Sequence, residues 1–492
     1  MFLLMLFVSL LFQACRYEFP ETQVEYRAGS LDLTTFVCVG DDFPAGFMDG
    51  ALYDAGQQHS VAAIVAASLQ PAGLHSFNQA DIGSLNGYNE FVTHRDNIPG
   101  RYALVYPDNQ ADLPEIITTP GDPVGSFAGD KNLLQDFSVP FMKIYQADDP
   151  ALIANRYYAR IATDPSVSTL LSQADQSGAT FFLLWAGMSD ILGYAMSGGV
   201  GDTLLAGTGQ TPGPQDLTPV SLFEEKLDKI LSTLLDNESS KGVILTLPSF
   251  DDLPFFYYYT YNFIKLPGPM LVLAFSTYTD FNDAVSLNNQ DPANPKRPYI
   301  SFNDNGSTLY PQNVVVVDST LPDAYYPDGQ PLEKIRQLRE GEMVLMTFPK
   351  ELLEYGMGSL IPLPEKYYLN ARQVAAIRTR VAAFNEVIRR KSAEYPGRLC
   401  LVDITENIHA IAQTGKLNGW GQPAGKDFQY FEGVPLAGRL ELNSIYSLDG
   451  LHFNQRGNAY IAHEIIETVN TFFQATLPAV DVNSYRGNVP LY

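Results

Sequence analysis

The chain has 492 residues, enough for one large domain with insertions or for several domains. With 46% hydrophobic and 17% charged residues it has a globular composition, not a disordered one. Its formal net charge of -24 argues against nucleic acid as a partner, because phosphate binding needs clustered Lys and Arg.

The first fifteen residues, MFLLMLFVSLLFQAC, form an apolar run too short to span a bilayer as a mature helix. The run fits the core of a secretory signal, and its end, Phe12-Gln13-Ala14-Cys15, resembles a bacterial lipobox. The expectation is a lipoprotein signal peptide over 1–15, lipidation of Cys15, and a tether over 16–30. No Lys or Arg precedes the run, which departs from that pattern and implies an upstream start or an atypical signal; a buried N-terminal strand or helix is the alternative reading. Cys38 and Cys400 sit in apolar runs and read as core thiols, so neither a disulfide framework nor a paired-Cys metal site is expected.

Leu31 to Val39 predicts a first strand that stops at Gly40, followed by a helix from about Gln58 to Leu69 before Pro71. Residues 72–129 are rich in Pro, Gly, Asn and Asp and read as a long excursion with short strands such as Tyr102 to Tyr106. Asp136 to Ile144 follows, then a helix-like spacing over Leu152 to Ala162. Gly178 to Gly187 is the clearest buried strand, and Leu222 to Leu235 an amphipathic helix. Val243 to Leu247 is another strand. Residues 255–363 lose the strand–helix rhythm and read as an insertion or cap, with strands at Val314 to Val317 and Glu342 to Thr347. A long helix over Asn370 to Tyr395, a strand over Arg398 to Ile404 and a last helix over Arg456 to Phe473 complete the chain. Strands alternating with amphipathic helices predict an α/β fold with a parallel sheet.

Four strand-end blocks carry the chemistry: GDDFPAGFMDGALY from Gly40, SVPF at Ser138 to Phe141, LWAGMSDILGYAMSGG at Leu184 to Gly199, and SLDGLHFNQRGNAYIAHE at Ser447 to Glu464. Together they resemble the SGNH/GDSL hydrolases (GDSL-like lipases and acylhydrolases), in particular the large Bacteroidetes-type lipoprotein branch. The resemblance implies a three-layer α/β/α sandwich with a flavodoxin-like parallel sheet over 31–492, carrying the excursion 72–129 and the insertion 255–363. It also implies that Asp449 orients His452 as general base, in a frame that none of the other five histidines shares. A helix cap by Asp449 with a packed His452 is the alternative.

Three other positions depart from the family pattern. Asp42 stands at the nucleophilic Ser position, Ser189 at the oxyanion Asn, and Phe141 at the oxyanion Gly. A carboxylate beside an oxyanion hole repels a developing oxyanion, or folds into the hole as a built-in anion. Loss of one oxyanion donor costs roughly two to three decades in rate. These changes predict a pseudoenzyme that binds a ligand or partner. The retained Asp449 and His452 support the alternative, an active acyl- or carbohydrate-ester hydrolase with a remodelled site. In a third scheme Asp42 attacks an electrophilic carbon and His452 activates water to release the ester.

No cofactor is expected. Asp41, Asp42, Asp49, Asp190 and His452 are weighed as a divalent-metal cluster against the simpler reading of loop acids and caps. The aromatic run Phe255 to Tyr259, with Tyr261, reads either as a sugar or lipid groove or as a packed edge. The expected partners are a small-molecule ester, lipid or glycan, an outer-membrane protein, and the membrane itself through Cys15, which places the chain in the cell envelope.

Overall fold

A computed structural model of the chain describes residues 25–92, 97–106, 115–203, 211–304, 310–417 and 425–490. The expected signal segment, Cys15, most of the tether and His94 lie outside the described residues. Among the described residues no helix is long and apolar enough to cross a membrane.

Five strands form the central parallel sheet: β1 (Phe36–Gly40), β2 (Asp136–Ser138), β3 (Phe181–Trp185), β4 (Lys241–Leu245) and β5 (Leu399–Val402). They lie in the order β5-β4-β3-β1-β2, with every neighbouring pair parallel. Parallel strands are covered on both faces and so read as continuous apolar runs. Phe36, Val37, Cys38 and Val39 accordingly have no exposed surface. Cys38 and Cys400 are buried free thiols within these strands.

Helices α1 (Val61–Leu69) and α5 (Gln455–Phe473) pack on each other, as do α3 (Val220–Leu234) and α4 (Ala371–Ala393), and α2 (Ser189–Met196) also touches α4. The chain moves one way across the sheet from β1 to β2 and the other way from β3 to β5. Right-handed crossovers therefore put the two pairs on opposite faces. Helices α1, α4 and α5 start where the sequence offers a side-chain cap. Ser60 Oγ accepts the N–H of Ala63 at 3.1 Å, so α1 begins at Val61 and not at Gln58. Asn370 and Gln373 form a reciprocal capping box at the start of α4. Val374, Ile377, Val381, Phe384 and Ile388 make the buried stripe of α4, and Phe384 stacks on Phe223 of α3 at 3.9 Å between ring centroids.

Several elements differ from their sequence reading. Strand β1 starts at Phe36 because the Asp32 carboxylate accepts both the N–H and the hydroxyl of Thr34, which turns the chain before it. The helix expected over Leu152 to Ala162 is two short turns, Pro150–Ala154 and Arg156–Ala159. Asn155 breaks it by accepting the N–H groups of Tyr157 and Tyr158 while donating to Pro140 O. In the 72–129 excursion a strand spans Pro99–Val105, not Tyr102 to Tyr106, and pairs with Glu115–Pro120.

Residues 264–368 gather a second apolar cluster around Val285, Val314, Val315, Val316, Leu338 and Val344. Its strands are shorter than expected, Val315–Val317 and Met343–Val344. It also contains two helices absent from the sequence reading, Gly268–Thr277 and Thr279–Gln290. The first of these, GPMLVLAFST, has no polar face and so no helical periodicity to detect. Phe255 and Phe256 are buried, Tyr257 donates to Gly438 O at 2.6 Å, and Tyr259 packs on Phe263 and Phe348. The aromatic run is a packed edge; Tyr258 alone of its residues is exposed.

Candidate functional site

The site lies where β1 and β3 end side by side, the point at which the strand order reverses and ligands of open α/β sheets gather. Gly40 closes β1 because a Cβ there would meet Pro44 Cγ and Trp185 O at 2.3 Å. The chain then turns into one helical turn, Asp42–Ala45. Asp41, just before it, accepts the N–H groups of Gly187, Met188 and Ser189 on Oδ2 at 2.9, 3.0 and 3.3 Å. Its Oδ1 accepts the N–H of Phe43 at 3.3 Å. Asp41 thus fastens the end of β1 to the turn after β3. Burial, and next the charge of Asp42, push its carboxyl well above the ordinary range, against the pull of those N–H groups.

Asp42 turns the opposite way. Its Oδ1 accepts the hydroxyl of Ser189 at 2.7 Å, and its Oδ2 lies 2.8 Å from His452 Nε2. His452 Nδ1 lies 2.9 Å from Asp449 Oδ2. Both ring nitrogens therefore face carboxylate oxygens, and both donate when the ring is an imidazolium. Burial alone would lower the pKa of His452. The charge of Asp449 and hydrogen bonds to both carboxylates reverse this and push it up to about 10. Burial would raise the Asp449 carboxyl, but the charge and hydrogen bonds of His452 with the Leu451 N–H hold it below its ordinary value. The ring is wedged between Phe43 and Phe47, with centroids at 5.3 and 4.9 Å.

A second layer of bonds orients Asp449. Its Oδ1 accepts the Ser447 hydroxyl at 2.9 Å and the N–H groups of Leu451 and His452. Its Oδ2 accepts the N–H of Gly50 at 2.9 Å. Gly50 has a φ of 78°, and a Cβ there would meet Asn89 Nδ2 at 2.9 Å, so the position suits glycine alone. Beside it Asp49 accepts the N–H of Leu448 and the hydroxyl of Tyr53, binding the turn after β1 to the loop before α5. Burial pushes the Asp49 carboxyl up to about 6.

Phe141 has a φ of 63°, a left-handed conformation that glycine adopts freely and other residues at a cost. Its ring packs edge-on against Phe47 at 5.1 Å and near Phe91 and Tyr157. A cavity of about 610 Å3 opens beside it, lined also by Phe91, Lys143 and Ser189, and ends on Asp42 and His452. Each of these last two exposes 1% of its surface, so the ion triad forms a floor and not an open groove. Lys143 is buried, and its ammonium donates to Gly213 O and Asp216 O.

No protein-family model, curated protein or solved structure matches the chain. What the site can do rests on its own residues.

Asp42, Ser189, Asp449 and His452 meet in one hydrogen-bonded cluster, and Phe141 lines the cavity above it. Of the two behaviours weighed for the Asp42 carboxylate, folding into backbone donors is not observed: its partners are the Ser189 hydroxyl and the imidazole, while Asp41 holds the backbone N–H groups. The five groups weighed as a metal cluster do not converge. Asp190 accepts the N–H of Ile144 and Asp49 that of Leu448, and no three such side chains among the described residues are placed to hold a metal ion. Asp41, Asp49 and Gly50 are the site residues whose roles sequence reasoning missed. The Asp49-Gly50 doublet is a turn signal that marks the loop but not its target, Asp449.

An imidazolium bonded on both nitrogens has no lone pair with which to take a proton. Chemistry that needs His452 as a base first requires loss of a proton held to about pH 10 and separation from Asp42.

Proposed function

We propose that the chain is an SGNH-like three-layer α/β/α sandwich in which a buried ion triad replaces ester chemistry, and that it acts as a ligand- or partner-binding module. The observation that carries this reading is the placement of both ring nitrogens of His452 on carboxylates, Asp42 at 2.8 Å and Asp449 at 2.9 Å. The strand order, with the site at its reversal, supports the fold assignment. The left-handed backbone of Phe141 supports its alignment with a glycine of the family.

The test is hydrolysis of short-chain p-nitrophenyl esters by the natural chain, His452→Ala and the restored Asp42→Ser/Phe141→Gly/Ser189→Asn variant. An inert natural chain beside an active restored variant is the expected result. Turnover by the natural chain that His452→Ala abolishes would sink the proposal. That outcome favours the second reading, a hydrolase with a remodelled site, whose support is the cavity that ends on Asp42 and His452.

Anchoring belongs to the same proposal. Cys15 carries the lipid and holds the module in the envelope, near an outer-membrane protein or its small-molecule ligand. Replacing Cys15 by Ser should move the protein from the membrane to the soluble fraction; retention in the membrane would refute the anchor.

A further inference from the structure

A second cavity, of about 670 Å3, lies where the inserted segment meets the start of α4. Its wall carries Lys296, Arg297, Arg336, Arg339 and Arg372. In a chain with 31 Lys and Arg against 55 Asp and Glu, five cations on one wall are a local reversal of sign.

The acids on the same wall are largely occupied. Arg336 Nε donates to Asp318 Oδ2 at 2.5 Å, and its two Nη atoms donate to the Glu342 carboxylate at 2.7 Å each. Glu342 also accepts the N–H of Arg339 at 2.8 Å and that of Ala371 at 3.3 Å, which fixes the turn against the first residue of α4. Over the whole lining, five cations face three acids, Asp318, Glu340 and Glu342, and Glu340 is the acid not bonded to Arg336.

None of the four cations other than Arg336 forms an ion pair among the described residues, although Asp323, Glu333 and Asp318 lie within electrostatic reach of Arg297. Lys296 donates to the carbonyls of Asn289 and Asp291, and Arg297 to those of Pro322 and Glu333, which are neutral acceptors. Arg297 is 2% exposed, and its Nε is buried with no hydrogen-bond partner. Arg339 and Arg372 are exposed, and neither forms an ion pair among the described residues. The N-terminal end of the 23-residue α4 faces the same wall through Asn370, Ala371 and Arg372; Glu342 already accepts the Ala371 N–H and Asn370 the Gln373 N–H, so the dipole adds to a partly satisfied end.

We propose that this wall binds a tetrahedral oxyanion, a phosphate or sulfate group, between the guanidinium groups of Arg339 and Arg372 at the N-terminal end of α4. Guanidinium forks match the oxygen spacing of such groups. The group belongs either to a soluble phosphate ester or to a lipid headgroup. In both cases it ties the inserted segment to α4. The site is separate from the ion triad and stands or falls without it.

The test is calorimetric titration of the whole mature chain, at low salt, with inorganic phosphate, sulfate and glucose 6-phosphate. The Arg339→Ala/Arg372→Ala variant is titrated in parallel. Both side chains are exposed, so the variant should melt as the natural chain does, and its melting curve checks this. The natural chain should bind saturably, more weakly as salt rises, and the variant about tenfold or more weaker. Absence of saturable binding, or equal binding by the intact variant, overturns the proposal. Co-sedimentation with phosphatidylglycerol/phosphatidylcholine vesicles separates the sources. Arginine-dependent retention on vesicles assigns the group to lipid; binding of soluble esters without retention assigns it to a soluble ligand.

Discussion

His452 Nε2 and Asp42 Oδ2 lie 2.8 Å apart, although 410 residues separate them in the chain. On its other nitrogen the ring meets Asp449 at 2.9 Å, so one imidazole bridges two buried carboxylates. The Ser189 hydroxyl completes the arrangement by donating to the free oxygen of Asp42. On the proposed SGNH-like reading, this carboxylate–imidazole contact stands where a serine would hand its proton to the histidine.

The first consequence concerns protonation. His452, held up to about pH 10, should show imidazolium nitrogen shifts at pH 7.5 in the folded chain. A raised histidine contributes stability that is fully present below its unfolded value of 6.5 and fades as pH rises through about 10. The lowered Asp449 contributes above its unfolded value of 3.8 and loses this as pH falls through its folded value. Urea unfolding between pH 6.5 and 10 should therefore weaken the natural chain more than His452→Gln. Neutral-ring shifts at pH 7.5 would contradict the ion triad.

Asp42→Ser removes one of the two carboxylates and leaves the His452–Asp449 pair. The pKa of His452 should drop by about one unit or more in an NMR titration. The variant should lose about 1–3 kcal/mol, since a charge-assisted bond goes while its partner remains buried. A titration identical to that of the natural chain would mean that Asp449 alone sets the protonation.

Asp41→Ala strips the acceptor from four backbone N–H groups at the junction of β1 and β3. Buried donors without acceptors are costly, so the loss should be about 3 kcal/mol or more by urea unfolding. A loss below about 1 kcal/mol would show that other acceptors replace the carboxylate.

Phe141 allows a comparison of two truncations. Both Phe141→Ala and Phe141→Gly remove the ring contacts with Phe47, Phe91 and Tyr157, but glycine alone relaxes a backbone at φ 63°. The Gly variant should be the more stable by about 1 kcal/mol, the reverse of the usual order. If Ala is the more stable, the left-handed backbone carries no strain.

The central sheet was legible because its strands are buried on both faces, so that Phe36 to Val39 and Phe181 to Trp185 stand out as unbroken apolar runs. Helix α4 was legible through its single stripe and its cap. Asp42, Ser189, Asp449 and His452 were singled out by their strand-end frames. Whether Asp42 pairs with His452 or with backbone donors stayed open. Asp41 and Asp42 are the same residue type in adjacent positions, and only the turn into Asp42–Ala45 decides which of them faces the β3 loop. The helix Gly268–Thr277 was hidden because it lacks a polar face, and the break at Asn155 because a side-chain cap overrode a helical spacing.

Strand β1 precedes its neighbours β2 and β3, which begin at Asp136 and Phe181, and His452 comes much later in the chain. Until then Asp41 and Asp42 have neither their backbone donors nor their counter-charge, and water must solvate them. Early and late described segments close together, with Arg27 pairing with Thr476 and α5 lying against α1. A nascent chain arrested before α5 would thus hold an acidic, unsealed strand end. Docking of the segment that carries His452 is the step that converts this hydrated acidic seam into a buried one.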